Sequence, residues 1–318
     1  MSVPVQVPEL PLLAPWYRLV EEGDVVVLEH AHRAVVLEGA AVRRLLPALL
    51  PLLDGTRTLE EIVAAVGSAA AEAVRRALAL LTEKDLLVAG PPPGCAGEPR
   101  AAVEELAAAA GVAPAGVAER IAAARVAVAG GATAAGEVAR LLRRAGIGTV
   151  RRPAFGDTGD GDDLVVVAPA AGELGALEDR NERALATGVP WLQLLPFDGR
   201  LAAVGPLFLP GETACWACYR IRRAGADGLA EAGRLLEAVP PRASAGPSLT
   251  AATAAVAADL VVRWLGLRDP RLPGVLFAVE PDRGLLSTAH EVLRVPRCPA
   301  CSAAATLAPP APWFEAVG

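Results

Sequence analysis

The chain opens with short apolar runs bounded by polar and turn residues and then takes up a helical period. Trp16–Val20, Asp24–Glu29 and Arg33–Glu38 are short β-strand candidates, the last two rich in valine, with turn chemistry at Glu22-Gly23. After Gly39 the spacing becomes three and four. Val42, Leu45, Leu46, Leu49 and Leu50 fall on one helical face, with Pro47 placed to kink it. Asp54-Gly55 marks a turn. Thr58, with Glu61 three residues on, predicts a capping box opening a helix through Val66. Ser68 reads as the cap of a further helix to about Lys84, with Val74, Leu78 and Leu81 on its inner face. Leu86–Val88 closes as a short strand. Three strands and three helices in this order predict a winged helix-turn-helix module over residues 1–90.

Residues 91–100, inside the stretch AGPPPGCAGEPR, have the composition of a linker stiffened by proline. Two Ala-rich helices follow, near 99–110 and 114–124. Strands at Arg125–Ala129, Gly148–Arg152, Leu164–Ala168 and Trp191–Leu195 then alternate with helices near Ala134–Ala145 and Leu174–Thr187. Such alternation predicts a parallel α/β sheet over residues 101–318. Val275–Val279 and Leu293–Val295 read as paired strands around a Pro281–Gly284 turn. The fold class is α/β in two domains, which agrees with a length of 318 residues.

A hydrophobic fraction of 53% excludes general disorder, and a net charge of −6 argues against nucleic acid as the partner. The N-terminus lacks a secretory signal. The apolar stretch Ser248–Leu267 contains Asp259 and Arg263 and reads as a core helix, with no membrane span expected. A cytoplasmic setting, in which thiols stay reduced, follows from these signs.

That setting bears on two C-x-x-C pairs, Cys215-Trp-Ala-Cys218 and Cys298-Pro-Ala-Cys301. One such pair serves redox chemistry as readily as a metal. Two pairs in a reducing compartment favour a closed tetrahedral zinc site over a redox pair or an iron–sulfur cluster. Four protein ligands leave no position for a reacting water, so a structural role is expected. Cys95 has no partner.

The glycine turn after Arg125–Ala129, with Gly130, Gly131 and Gly136, sits where a strand meets a helix and backbone N–H groups hold phosphate. The acid that contacts a ribose at the end of the next strand is replaced by Arg151-Arg152, so a packing turn is the alternative. Asp157, Asp160, Asp162 and Asp163 read as a solvated loop or a cation site. His30, His32 and His290 form no ligand spacing. In the small module, Arg33–Glu38 is a candidate sheet edge, with Arg33, Val35, Val36 and Leu37 able to meet an incoming peptide. The helix at 69–84 would form the second wall of a groove, with Arg75, Arg76 and Ala79. DNA binding and a purely structural role stay open for this module.

Gly205–Tyr219 (GPLFLPGETACWACY), Arg220-Ile-Arg-Arg223 and Cys298-Pro-Ala-Cys301 together resemble the ThiF-like (Ocin-ThiF-type) proteins of azole-containing peptide biosynthesis. The N-terminal module is similar to the RiPP recognition element, itself like the small protein PqqD. The resemblance implies a ThiF-like, Rossmann-type domain behind the recognition element. It implies that the leader of a ribosomally made precursor adds to the third strand of the module. The core peptide would then pass to a separate YcaO-family cyclodehydratase, which uses ATP to form azolines. Adenylating relatives use an acidic ribose contact and a magnesium-binding Asp. Arg151-Arg152 and Pro169-Ala170 stand at those places, while Arg180 stands in a helix that can supply the family arginine. The resemblance therefore implies a non-catalytic partner without use of ATP, and it allows a homodimer. The alternatives are an active adenylating enzyme and a DNA-binding regulator.

Overall fold

The computed structural model describes residues 6–31, 33–92, 94–155, 161–170, 173–227 and 244–303. His32, Asp157 and Asp160 lie outside the described residues. The chain divides into two compact units, Met1–Ala122 and Ala123–Gly318.

Unit 1 holds two small sheets. Strands β2 (Arg18–Glu22), β3 (Val25–His30) and β4 (Arg33–Glu38) form an antiparallel sheet in the order β2-β3-β4. Val26, Leu28 and Leu37 are buried, Val36 faces outward at 50% exposure, and β2 is exposed along its whole length, with Val20 at 57%. Strand β1 (Pro11–Leu13) pairs antiparallel with β5 (Leu87–Ala89). Helices α1 (Ala40–Leu49), α2 (Leu59–Val66) and α3 (Ala71–Glu83) supply Leu49, Ile62, Val74, Leu78 and Leu81 to one core with the sheet. Helix α1 runs on through Pro47 and passes into a 3₁₀ turn at Leu50–Leu52. The capping box forms: the Thr58 N–H donates to Glu61 Oε2 at 2.8 Å, and the Glu61 N–H donates to Thr58 Oγ1 at 3.3 Å. Ser68 does not cap α3. It opens a 3₁₀ turn at Ser68–Ala70, and Ala70 at the N-cap offers no side-chain oxygen.

Helices α4 (Gly97–Ala110) and α5 (Pro114–Ala123) complete the unit. The expected boundary at residue 90 thus differs from the fold. The last four residues of the expected linker, Gly97 to Arg100, are helical, and Arg100 donates to the Asp54 carbonyl at 2.8 Å, which ties α4 into unit 1.

Unit 2 is built on a seven-stranded mixed sheet in the order β12-β11-β10-β9-β8-β6-β7. Strands β6 (Arg125–Ala129), β7 (Thr149–Arg151), β8 (Leu164–Val167) and β9 (Trp191–Leu195) are parallel. Strands β10 (Ala202–Phe208), β11 (Val275–Glu280) and β12 (Leu286–Glu291) continue antiparallel. Every residue of β8 is buried, as a central parallel strand requires. The turn at Pro281–Arg283 is where the sequence places it, but the partner strand is Leu286–Glu291, with Leu286 opposite Glu280, and not Leu293–Val295.

Helices α6 (Thr133–Arg144), α7 (Ala176–Thr187), α8 (Trp216–Asp227) and α9 (Pro247–Leu267) pack on this sheet. Leu177, Ala184, Trp216 and Tyr219 meet Val165, Val167, Trp191 and Phe208 in one core. Helix α9 is long and apolar enough to cross a membrane by length and composition. It buries Leu249, Leu260, Val261 and Leu265 within the unit, each worth about 1.5–3 kcal/mol when removed from water, so its composition is that of a core helix.

Candidate metal centre and the glycine turn

Two segments far apart in sequence bring the four cysteines together. Cys215 stands just before α8 and Cys218 lies in its first turn, and Cys298 and Cys301 lie in the segment beyond β12. The Trp216 N–H donates to Oδ1 of buried Asn181 on α7 at 2.9 Å, which fixes the start of α8. The second segment is pinned by arginines. Arg222 on α8 donates to the carbonyls of Leu293 and Arg294, and Arg294 donates to the carbonyls of Gly211 and Cys301.

The sulfur atoms are 3.8 Å apart for Cys215–Cys218, 3.7 Å for Cys215–Cys298 and 3.6 Å for Cys218–Cys301, and all four lie within 4.8 Å of one another. A tetrahedral ion with thiolates at about 2.3 Å places its sulfurs about 3.8 Å apart, so the donor set fits a four-thiolate metal ion. None of the four is disulfide-bonded. Burial pushes the Cys215 thiol far above its usual range. Burial acts upward on Cys218 as well, but the backbone N–H of Val295, 3.3 Å from its sulfur, that of Cys215 and the Cys298 and Cys301 side chains together outweigh it and leave this thiol below its usual value. An N–H aimed at a sulfur favours the thiolate that a metal needs.

The peptide-binding residues expected from the sequence all belong to unit 1. Leu37 is buried in its core and Val35 packs against that core, so neither offers a free side chain. Val36 is half-exposed. Arg33 donates to the Lys84 carbonyl at 2.6 Å and pairs with Asp85 at 3.5 Å, which joins the start of β4 to the end of α3. On α3, Arg75 is exposed, Arg76 pairs with Glu72 at 3.0 Å, and Ala79 is partly buried next to Leu80, which is 45% exposed. Strand β4 ends its sheet, since β3 is its one neighbour among the described residues.

The glycine turn between β6 and α6 lies where β7 and β8 depart to either side of β6, the usual crevice of such sheets. Gly130 has φ +126°, and a Cβ there would stand 2.0 Å from the Ala168 carbonyl oxygen, so the turn must be glycine to pack on the end of β8. Arg152 donates to the Gly130 carbonyl at 3.1 Å, and Arg151 pairs with buried Asp162. Asp163 accepts from the Arg125 N–H at 2.8 Å. Asp162 is therefore a buried structural partner, unlike the solvated loop expected, whereas Asp163 is exposed. A cavity of about 320 Å³ opens beside the turn, lined by Thr133, Pro169, Phe197, Thr250 and other uncharged residues. His30 packs against Tyr17, and His290 lies 3.0 Å from the Thr288 hydroxyl. Sequence reasoning missed Glu173, the arginine pins and Asn181, whose partners are remote in the chain.

The fold and the cysteine centre define a mixed α/β chain with a four-thiolate site, consistent with a ThiF-like architecture. No protein-family model matches the chain, and no curated protein matches it. Solved structures do. The heterocyclase TruD is similar over 93% of this chain and 43% of its own, at 27% identity and a TM-score of 0.68. A heterocyclase in complex with substrate and cofactor is similar over 92% of this chain and 39% of its own, at 25% identity and a TM-score of 0.70. The chain thus spans about two fifths of the length of these heterocyclases. The microcin C7 biosynthetic enzyme MccB, in complex with N-formylated MccA, is similar over 92% of this chain and 99% of its own, at 14% identity and a TM-score of 0.58. That identity speaks for the fold alone.

Proposed function

We propose that this chain binds the leader of a ribosomally made precursor peptide and presents the core peptide to a separate ATP-dependent YcaO cyclodehydratase. In this reading unit 1 carries a winged helix-turn-helix recognition element of the PqqD type, and unit 2 is a non-catalytic ThiF-like scaffold held by structural zinc. The likeness to heterocyclases supports a role in peptide modification. The observation that carries the leader-binding part is the edge of β4, unpaired among the described residues, with half-exposed Val36 on it and Arg33 tying it to the end of α3.

An extended peptide adding to that edge gains main-chain hydrogen bonds from groups that otherwise face water. Val36 and the exposed Leu80 offer apolar contacts, and Arg75 offers a charge to an acidic leader. Zinc serves this work indirectly, by fixing α8 against the segment beyond β12. A reducing cytoplasm suits the thiolates.

The test is fluorescence anisotropy of the full chain with a labelled synthetic leader. Saturable binding at micromolar levels is expected. Edge-strand N–H groups alternate between the partner strand and solvent, so of Val35→Pro and Val36→Pro one should leave the sheet intact and weaken leader binding at least about tenfold. Absence of saturable binding by the wild-type chain overturns the reading.

A further inference from the structure

We propose that Glu173 is an internal anion, whose carboxylate fills the phosphate seat of the glycine turn and keeps nucleotides out of unit 2. The inference deepens the non-catalytic part of the reading above and rests on it, while leader binding is independent of it.

The place is right for a phosphate. It is the first strand-to-helix turn of a parallel sheet, at the N-terminus of α6, where unpaired N–H groups and the helix dipole favour negative charge. In this chain the charge comes from within. Glu173 Oε2 accepts from the Gly131 N–H at 3.1 Å and from the Ala170 N–H at 2.8 Å, so one oxygen bridges the turn after β6 and the segment after β8. The Glu173 N–H donates to the Ala170 carbonyl at 2.9 Å and closes a local ring that holds the side chain in place. The next donor of the turn, the Ala132 N–H, is committed to the Ala168 carbonyl at 3.3 Å.

The surroundings agree. A Cβ at Gly131 would lie 2.9 Å from the Glu173 carboxylate, so the glycine lets the carboxylate approach as a phosphate would. Arg152, where a dinucleotide site carries its ribose-binding acid, is bonded to the Gly130 carbonyl. The cavity alongside has an uncharged lining. A polyphosphate entering there would meet a carboxylate, fewer free N–H groups and no ionisable side chain along the cavity wall.

Isothermal titration of the full, metal-loaded chain with magnesium pyrophosphate and with magnesium ATP tests this. The wild-type chain should show no saturable binding below about 1 mM. Glu173→Ala, which empties the seat, should bind pyrophosphate at least about tenfold more tightly than wild type. Glu173→Gln keeps an acceptor for the two N–H groups without the charge, and should fall between them. Bound metal and leader affinity, measured on the same samples, should be unchanged. If Glu173→Ala fails to fold, Glu173→Gln decides. Wild-type binding of ATP below that limit, or no gain in either folded variant, overturns the proposal. Loss of leader binding in the wild-type chain would instead strike the reading of unit 1.

Discussion

Unit 1 presents a strand edge with no neighbour among the described residues, whereas unit 2 supplies its own partners at the places where its fold would take a ligand. In unit 1, β4 ends the sheet with Val36 half-exposed, and the side chain that closes one end of the edge, Arg33, leaves the strand itself open. In unit 2, Glu173 fills the glycine turn, Asp162 takes up Arg151, and four thiols face one another instead of a substrate. The crevice that makes an α/β sheet a nucleotide enzyme is spent on internal bonds. In the proposed reading unit 1 carries the opening, and binding is separated from the larger body, which keeps the fold and the four-cysteine centre.

The sharpest way to break this contrast is to remove the metal. Paired Cys218→Ser and Cys298→Ser substitutions delete one thiolate from each knuckle. Structural zinc supplies about 10–16 kcal/mol of apparent binding free energy in small peptides, most of which is felt as folding. In a unit with a core of its own the cost is a part of that, and a fall of about 10 °C or more in the melting of unit 2 is expected. Bound zinc should drop below one ion per chain, measured by mass spectrometry, while leader anisotropy stays within about twofold of wild type. A double variant that melts with the wild type would reduce the centre to a cluster of buried thiols.

Legibility followed the range of the interactions. The knuckles were readable because each is set by a spacing of three residues, and their pairing followed from count and compartment. The strands β6, β8 and β9 were readable because burial on both faces forces short, mainly apolar runs, broken in β9 by buried Gln193 alone. Strand β10 was missed: Gly205-Pro206 interrupts it, and its pairing with β9 shifts register between Val204 and Leu207. Strand β1 was missed because three residues, Pro11 to Leu13, carry no period, and its partner lies at Leu87–Ala89. Strand β12 was misplaced because its residues face water on both sides and show no apolar face. Glu173 gave no signal, since one of the two N–H groups it binds belongs to Gly131, 42 positions earlier.

A second test concerns acid. Asp269 follows α9, nearly buried, and both its oxygens are held by Arg271 and Arg263. The Arg271 guanidinium first, against the opposing pull of burial, then the Arg271 N–H and Arg263, keep this carboxyl well below the usual carboxylate range. A group depressed in the folded state contributes fully above its unfolded value of about 3.9, and the contribution fades as pH falls toward the folded value. Asp269→Asn should therefore cost unit 2 about 2 kcal/mol at pH 7, read by chemical denaturation, and the gap to wild type should narrow between about pH 4 and pH 2. A constant gap across that range would mean that the loss comes from packing and not from charge.

The smallest expected effect falls in unit 1 and serves as the counterpart. Thr58 and Glu61 close a reciprocal cap on α2, with the Thr58 side chain accepting from one end and the Glu61 carboxylate from the other. Thr58→Ala leaves the Glu61 N–H to water and removes one acceptor at a solvent-exposed helix start, at a cost of about 1 kcal/mol. Backbone and side-chain hydrogen bonds from Thr58 hold the Glu61 carboxyl below its usual value. The cap is accordingly present above the ordinary glutamate range and weakens as pH drops through it. Hydrogen exchange at α2 should quicken about fivefold in Thr58→Ala, and bound metal should stay at wild-type level, because the cap lies in unit 1 and the cysteines in unit 2. A change in metal content here would show that the open and closed parts of the molecule are not the separate devices that their bonding makes them.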